Sequence, residues 1–150
     1  MNITIVAIGK KRTEFFEAAL AEYQKRLSRW VRLSWHVMPA SDMQTESQQL
    51  TKFLSSVGSR AVAVLLDERG DAWSTPDLAS KIASWQNEAV KDLVLIVGGA
   101  RGVEPAIRSQ VNYVWSLSPL VFPHELVRVL LLEQLYRAYD LNAGGKYHHA

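Results

Sequence analysis

Five short apolar segments recur along the chain, separated by stretches with helical periodicity. They run from Ile3 to Ile8, Val31 to Val37, Ala61 to Leu66, Leu93 to Val97 and Tyr113 to Leu117. The third and fourth segments are nearly continuous runs of apolar residues, which is typical of parallel strands covered on both faces. The second segment alternates between apolar and polar positions, which favours a strand near an edge of the sheet.

Helix signals fall in the gaps between these segments. Candidate starts are Thr13, Ser41 with its capping-box partner Gln44, Thr75 before Pro76, Pro105, and Pro123. The first helix is predicted to reach about Trp30 and the last about Leu141, before two glycines. Strands and helices that alternate in this way predict one α/β domain, with a mostly parallel sheet and helices on both faces.

Composition narrows the class of protein. The 150 residues are 48% hydrophobic and 21% charged, a globular balance, and contain no cysteine for disulfides, thiolate catalysis or metal binding. The segment MNITIVAIG lacks the basic start of a signal peptide, and no apolar run is long enough to span a bilayer. We therefore expect a soluble, cytoplasmic protein.

The formal net charge is only +2, but the first third of the chain is basic. Its cations are Lys10, Lys11, Arg12, Lys25, Arg26, Arg29 and Arg32. A solvated helix face is the usual interpretation of such a cluster, and the charge permits an anionic partner without identifying one.

Three segments that directly follow predicted strands are candidates for a ligand-binding site, because ligands of open α/β sheets bind beyond the carboxyl ends of strands. The third strand is followed by DERG, the fourth by the glycine turn at Gly98, Gly99 and Gly102, and the fifth by LSPLVFPHELVR. The glycines allow close approach of a ligand to the backbone, although a tight turn explains them equally well. GGxxG is neither a dinucleotide nor a P-loop fingerprint.

The sequence HELVR at His124 begins like the zinc motif H-E-x-x-H, but its fifth position is Arg128. A cation at that position repels a metal ion, and His148 and His149 have no ligand spacing to His124. No metal site is therefore predicted.

The helix after Pro123 is apolar around its whole circumference from Val129 to Leu132. Such a helix must be buried on every side. We therefore predict a homodimer in which a partner subunit covers the outer side, with complete burial inside one chain as the alternative.

The chain resembles the RlmH family of SPOUT-class methyltransferases along its entire length. The resemblance is carried by VAIGK near the start, LIVGGARG (Leu95 to Gly102), WSLSPLVFPHELVRVLLLEQLYRAY (Trp115 to Tyr139) and KYHH (Lys146 to His149). It implies a C-terminal trefoil knot and a dimer with its active site at the subunit interface. It also implies that the cofactor is S-adenosylmethionine. The implied methylation target is N3 of a pseudouridine in the helix 69 stem-loop of 23S rRNA, within the assembled ribosome.

The resemblance also implies which residues contact the cofactor. They are Leu66, Gly98, Leu117, Ser118, Pro119, Leu120, Val121 and Phe122. An apolar loop with available backbone groups suits an adenine ring, although such a loop can equally well pack into its own core.

The sequence leaves the general base open. Candidates are His124, Glu125, His148 and His149, whereas Arg128 is better suited to stabilising an enolate-like oxygen or a phosphate. These residues also have purely structural interpretations. His124 can be an ordinary first-turn residue of the helix, Arg128 can pair with Glu125 or Glu133, and the tail that carries His148 and His149 can be disordered.

Two further expectations concern RNA. We expect Tyr147 and His148 to close over the target nucleotide, and Lys10, Lys11 and Arg12 to contact phosphates. The rival interpretations are a SPOUT enzyme that acts on another RNA and a non-catalytic, knotted RNA-binding dimer.

Overall fold

The structure, a computed structural model, describes residues 1–9 and 13–149. Its elements are β1 (Asn2–Ile8), α1 (Glu14–Leu27), β2 (Arg32–Met38), α2 (Met43–Ser56), β3 (Ala61–Ala72), α3 (Thr75–Asn87), β4 (Asp92–Val97), α4 (Pro105–Arg108), β5 (Tyr113–Ser116) and α5 (His124–Asn142). Lys10, Lys11 and Arg12, which are predicted to contact RNA, lie outside the described residues.

The five strands form one parallel sheet in the order β2-β1-β4-β3-β5. This order confirms the predicted α/β class and the edge position of the alternating strand β2. The three inner strands carry the apolar runs, because both of their faces are covered.

Helices cover both faces of the sheet. On one face α5 packs between α1 and α3, with Leu27, Ile82 and Leu131 fully buried over the sheet, and on the other face Leu50 of α2 and Ile107 of α4 are buried. Burial of this apolar surface is the main stabilising contribution to the fold.

The long helix α5 is only partly covered within one chain. Leu131, Leu132 and Leu135 are fully buried, but Val129 and Leu130 stay half-buried. The expectation that this helix is buried on every side is therefore met on its inner side alone.

The predicted cap of α2 at Ser41 is wrong by one residue. The N-cap is Asp42, whose Oδ1 accepts a hydrogen bond from the backbone N–H of Thr45 at 2.8 Å. The Ser41 N–H instead donates to the Glu46 carboxylate. The Asp42 carboxylate accepts from the helix start, and these hydrogen bonds, despite the opposing effect of desolvation, lower its pKa.

The predicted cap of α3 is also displaced by one residue. Ser74 is the N-cap and forms a capping box with Asp77, while Thr75 is the first helical residue. α1 begins after Thr13 as predicted but ends at Leu27, before the predicted limit at Trp30.

Candidate active site

The first cleft, with a volume of about 310 Å³, opens at the carboxyl ends of three neighbouring strands, β4, β3 and β5. The predicted cofactor residues that line it are Leu66, Gly98, Leu117, Ser118, Leu120, Val121 and Phe122. Pro119 does not line it. The sequence-predicted contact residues are thus brought together by the sheet order, because the three turns that carry them leave adjacent strands.

The walls of the first cleft combine the apolar side chains of the loop after β5 and the backbone of the glycine turn with polar side chains such as Asp67, Arg69 and Arg101. Leu120 and Val121 are 67% and 80% exposed, so this part of the apolar loop does not pack into the core, whereas Leu117 does contact it. Ser118 Oγ accepts a hydrogen bond from the Leu120 N–H at 3.0 Å across Pro119, which fixes the turn of this loop.

The glycine turn forms the floor between β4 and α4. The Gly102 N–H donates to the Gly99 carbonyl at 2.9 Å, and Gly102 has a φ of +74°, a conformation that a glycine adopts without strain. A Cβ on Gly98 would lie 3.5 Å from Val103, an ordinary contact, so packing within the chain does not require glycine there. That a ligand approaches the backbone at Gly98 stays a prediction.

A charged cluster follows the apolar part of β3, and its members Asp67 and Arg69 line the first cleft. The Asp67 side chain, 7% exposed, accepts hydrogen bonds from Arg69 and, at 2.7 Å, from Arg108 Nη2. Burial alone would raise the pKa of Asp67, but the hydrogen bonds from the two arginines outweigh it and hold the pKa below its ordinary value. Asp67 thereby ties β3 to α4.

The lowered pKa sets the pH range in which Asp67 stabilises the fold. Its contribution is present above the ordinary aspartate pKa of about 4 and is lost as the pH falls through the depressed pKa. The substitution Asp67→Asn is expected to lower the free energy of unfolding at pH 7 by about 1–3 kcal/mol, and by less in strong acid. Urea unfolding at both pH values measures this difference.

Asp71→Asn is the matched control, because Asp71 is an exposed carboxylate on the same strand. It is expected to change the stability by less than about 0.5 kcal/mol. An Asp67→Asn effect of equal size at both pH values would contradict the role given to the ionised carboxylate.

The second cleft, with a volume of about 760 Å³, lies next to the first. Its walls are the end of β1, the loop before α2, the glycine turn and the first turns of α5. Gly99, Ala100, Arg101 and His124 line both clefts. Ligands bound in the two clefts would therefore lie next to each other, separated only by these four residues.

Arg128 is a buried cation in the wall of the second cleft. It is 2% exposed, and its Nη2 donates to the carbonyls of Ile8 at 3.1 Å and Gly9 at 3.0 Å. These bonds attach α5 to the carboxyl end of β1. This geometry shows that Arg128 positions the end of β1. Its predicted role towards a ligand oxygen stays a prediction.

The two glutamates considered as partners of Arg128 have other contacts. Glu125 Oε1 accepts a hydrogen bond from the Thr13 N–H at 2.7 Å, at the start of α1. Glu133 accepts from Arg137 and from the Tyr147 hydroxyl. Glu125 therefore joins α5 to α1, while Glu133 anchors the tail.

The C-terminal tail lies along α5 and lines neither cleft in its described part. The Tyr147 ring packs edge-on against Tyr136 with centroids 4.7 Å apart, and its N–H donates to Asp140 Oδ2 at 3.0 Å. His148 is half-buried, with no hydrogen bond to its buried Nδ1 within the described residues. The structure therefore does not bring Tyr147 and His148 to His124 and Arg128 within one chain.

Sequence reasoning missed one residue of the site. Glu46, in the first turn of α2, is 5% exposed and lines the second cleft beside Gly99. A glutamate near a helix start is common, so the local pattern gives no signal of this role. Only the packing of α2 against the glycine turn identifies it.

Comparison with known proteins agrees with this architecture. The sequence model of a family described as "Predicted SPOUT methyltransferase" matches residues 1–148. The chain belongs to this family of SPOUT methyltransferases.

Two similar proteins carry the same name. The protein called ribosomal RNA large subunit methyltransferase H in Gloeobacter violaceus is 40% identical over 153 residues, covering 99% of this chain and 99% of that protein. Its namesake in Thioalkalivibrio sulfidiphilus is 38% identical over 156 residues, with 99% of each covered.

A solved structure shares the fold. The SpoU methyltransferase AviRb from Streptomyces viridochromogenes, crystallised with the cofactor AdoMet, aligns with 97% of this chain at a TM-score of 0.51 and 13% identity. The aligned region spans 59% of the AviRb chain.

Membrane-spanning helices and metal sites are two other features for which the described residues give an answer. Among residues 1–9 and 13–149, no helix has the length and hydropathy needed to cross a bilayer. Over the same ranges, no three His, Asp or Glu side chains are grouped as metal ligands.

Proposed function

We propose that this protein is an S-adenosylmethionine-dependent methyltransferase of large-subunit ribosomal RNA, and that its acceptor is N3 of a pseudouridine in the helix 69 stem-loop. The observation that carries the proposal is the first cleft, in which three strand-end turns meet as the family resemblance implies. The relatives' name supports the substrate class. Such a substrate implies a cytoplasmic enzyme.

The first cleft fits the cofactor. Leu117, Val121 and Phe122 provide apolar walls for an adenine, and the glycine turn offers backbone groups at close range. When bound, S-adenosylmethionine supplies a methyl group that a nucleophile takes by in-line displacement from sulfur. The protein's task is therefore to orient the two reactants and to remove the proton from the acceptor nitrogen.

The second cleft is the proposed acceptor site, because it meets the first at Gly99 and His124. A flipped base there lies next to the methyl donor, and a few precisely positioned polar groups suffice to orient it. The four residues that line both clefts form a shared rim, from which His124 is proposed to contact the reacting base. Arg128 is proposed to hold the strand end beneath the base and to favour negative charge on it.

The homodimer is part of the proposal. Phe15, Leu120 and Val121 are large apolar side chains that are 79%, 67% and 80% exposed. Apolar side chains this exposed favour a partner surface, and Leu120 and Val121 border the first cleft. We also propose the trefoil knot that the family resemblance implies, formed where the loop after β5 passes the glycine turn.

Two measurements test the proposed function. Calorimetric titration with S-adenosylmethionine is expected to show binding, and methyl incorporation is expected in assembled ribosomes at N3 of one pseudouridine. Free 23S rRNA and isolated large subunits are the comparison substrates. Failure to bind the cofactor would favour the non-catalytic RNA-binding dimer, and methylation at a different nucleotide would favour another RNA target.

A further inference from the structure

A buried carboxylate lies in the wall of the second cleft, beside Gly99, which lines both clefts. Glu46 Oε1 accepts a hydrogen bond from the Ser41 N–H at 2.8 Å. Its Oε2 lies 2.7 Å from the position that a Cβ on residue 99 would occupy, so the glycine at this position makes room for the carboxylate. Among residues 1–9 and 13–149, no group donates a hydrogen bond to Oε2. One oxygen is thus anchored, while the other lies against Gly99, one of the residues that line both clefts.

The same turn of α2 is fixed on the glycine turn. Ser47 Oγ accepts a hydrogen bond from the Glu104 N–H at 3.0 Å, and Ser47 is itself buried. Glu46 and Ser47 therefore hold α2 against the two ends of the turn between β4 and α4. This fixation limits the motion of the Glu46 carboxylate, as a group that acts on a bound substrate requires.

We infer that Glu46 is the proton acceptor for the imide N–H of the target base, an inference that rests on the proposed function. The N3–H bond breaks and its proton passes to Glu46 Oε2. The electron pair left on N3 forms the new bond to the methyl carbon, while the pair of the broken C–S bond stays on the sulfur of the departing thioether. No further reactant is needed.

The other candidate bases are less suitably positioned. Glu125 also lines the second cleft, with Oε1 bound to the Thr13 N–H, but it is only half-buried, whereas Glu46 is 5% exposed and is therefore held more rigidly. Neither His148 nor His149 lines a cleft of its own chain. His124 lies at the shared rim and is the remaining rival within one chain. Unlike an imidazole, a carboxylate offers only acceptors to the imide N–H.

The substitution Glu46→Gln tests this inference. The amide oxygen keeps the contact with the Ser41 N–H, and the amide NH₂ then replaces Oε2 and presents donors to the imide N–H. Single-turnover methyl transfer is expected to slow by about a hundredfold or more, with an unchanged dissociation constant for S-adenosylmethionine. The remaining activity is expected to rise towards alkaline pH, where hydroxide replaces the missing base.

A binding measurement gives a readout that does not depend on turnover. With S-adenosylhomocysteine bound, the wild-type protein is expected to prefer target RNA with an N3–H base over the same RNA with an N3-methyl base. Glu46→Gln is expected to lose this preference. The matched control is Glu88→Gln, because Glu88 is an exposed carboxylate that accepts a hydrogen bond from Ser84 Oγ at 2.7 Å.

The outcomes separate this inference from the proposed function. Wild-type transfer rates in Glu46→Gln would overturn the role of Glu46 alone. Alkaline rescue of His124→Asn, with Glu46→Gln unaffected, would assign the proton transfer to His124. If the wild-type protein transfers no methyl group to ribosomal RNA, the proposed function fails, and the role of Glu46 fails with it.

Discussion

Deleting Lys146 to Ala150 is expected to slow methyl transfer to RNA by at least about a hundredfold, while S-adenosylmethionine binding stays measurable. Tyr147 is held on α5 by Asp140, Glu133 and Tyr136. From Glu133 to His124 the helix rises about 13 Å, so the tail is anchored well away from the clefts of its own chain. We therefore expect the tail to act on the cleft of a twofold-related neighbour. Single-turnover assays and calorimetry measure the two effects.

Deletion of Ala150 alone is the matched control, since no role is assigned to the last residue. It is expected to leave transfer and cofactor binding at wild-type values. If the longer deletion retained full activity, the closing role of Tyr147 and His148 would be refuted. A parallel fall of transfer, cofactor binding and melting temperature would instead indicate that the tail only stabilises α5.

The strands were predictable because burial on both faces of a sheet permits few polar side chains. β4 contains the predicted run Leu93 to Val97 and adds only Asp92. The first cleft was largely predictable for a related reason, since its turns directly follow apolar runs. However, the order of β4, β3 and β5 in the sheet is a property of the tertiary structure, which periodicity along the chain does not reveal. The family resemblance indicated that the turns after these strands meet.

Features decided by small energy differences or by distant contacts were not predictable. Ser41 and Asp42 are both good caps, and the choice between them involves differences below about 1 kcal/mol. The extension of β3 from Leu66 to Ala72 runs through DERGDA, which has low strand propensity, because pairing with β5 overrides that propensity. Glu46 meets Gly99 only through the packing of α2 on the glycine turn.

Gly70→Ala is expected to be the most destabilising single-methyl change in the sheet. Gly70 lies where the register between β3 and β5 shifts, between Leu66 and Asp71. A Cβ there would lie 2.5 Å from the Val114 carbonyl oxygen and 2.9 Å from the Trp115 nitrogen. These are backbone atoms of β5 and cannot rotate away, so the strand itself must move. Overpacking of this kind costs about 3 kcal/mol.

The displacement of β5 also reaches the site, because β5 leads directly into the loop from Leu117 to Phe122 that lines the first cleft. We therefore expect Gly70→Ala to lower the melting temperature by roughly 6–12 °C and to weaken cofactor binding in the protein that remains folded. Gly58→Ala is the matched control: its Cβ meets no atom within 4 Å, and its φ is not positive. The control is expected to leave stability unchanged or to raise it by about 0.4–1 kcal/mol, since alanine restricts the unfolded chain. Equal melting temperatures for Gly70→Ala and the wild-type protein would show that β5 can shift without cost, and the close approach of β3 and β5 would then not constrain the cofactor loop.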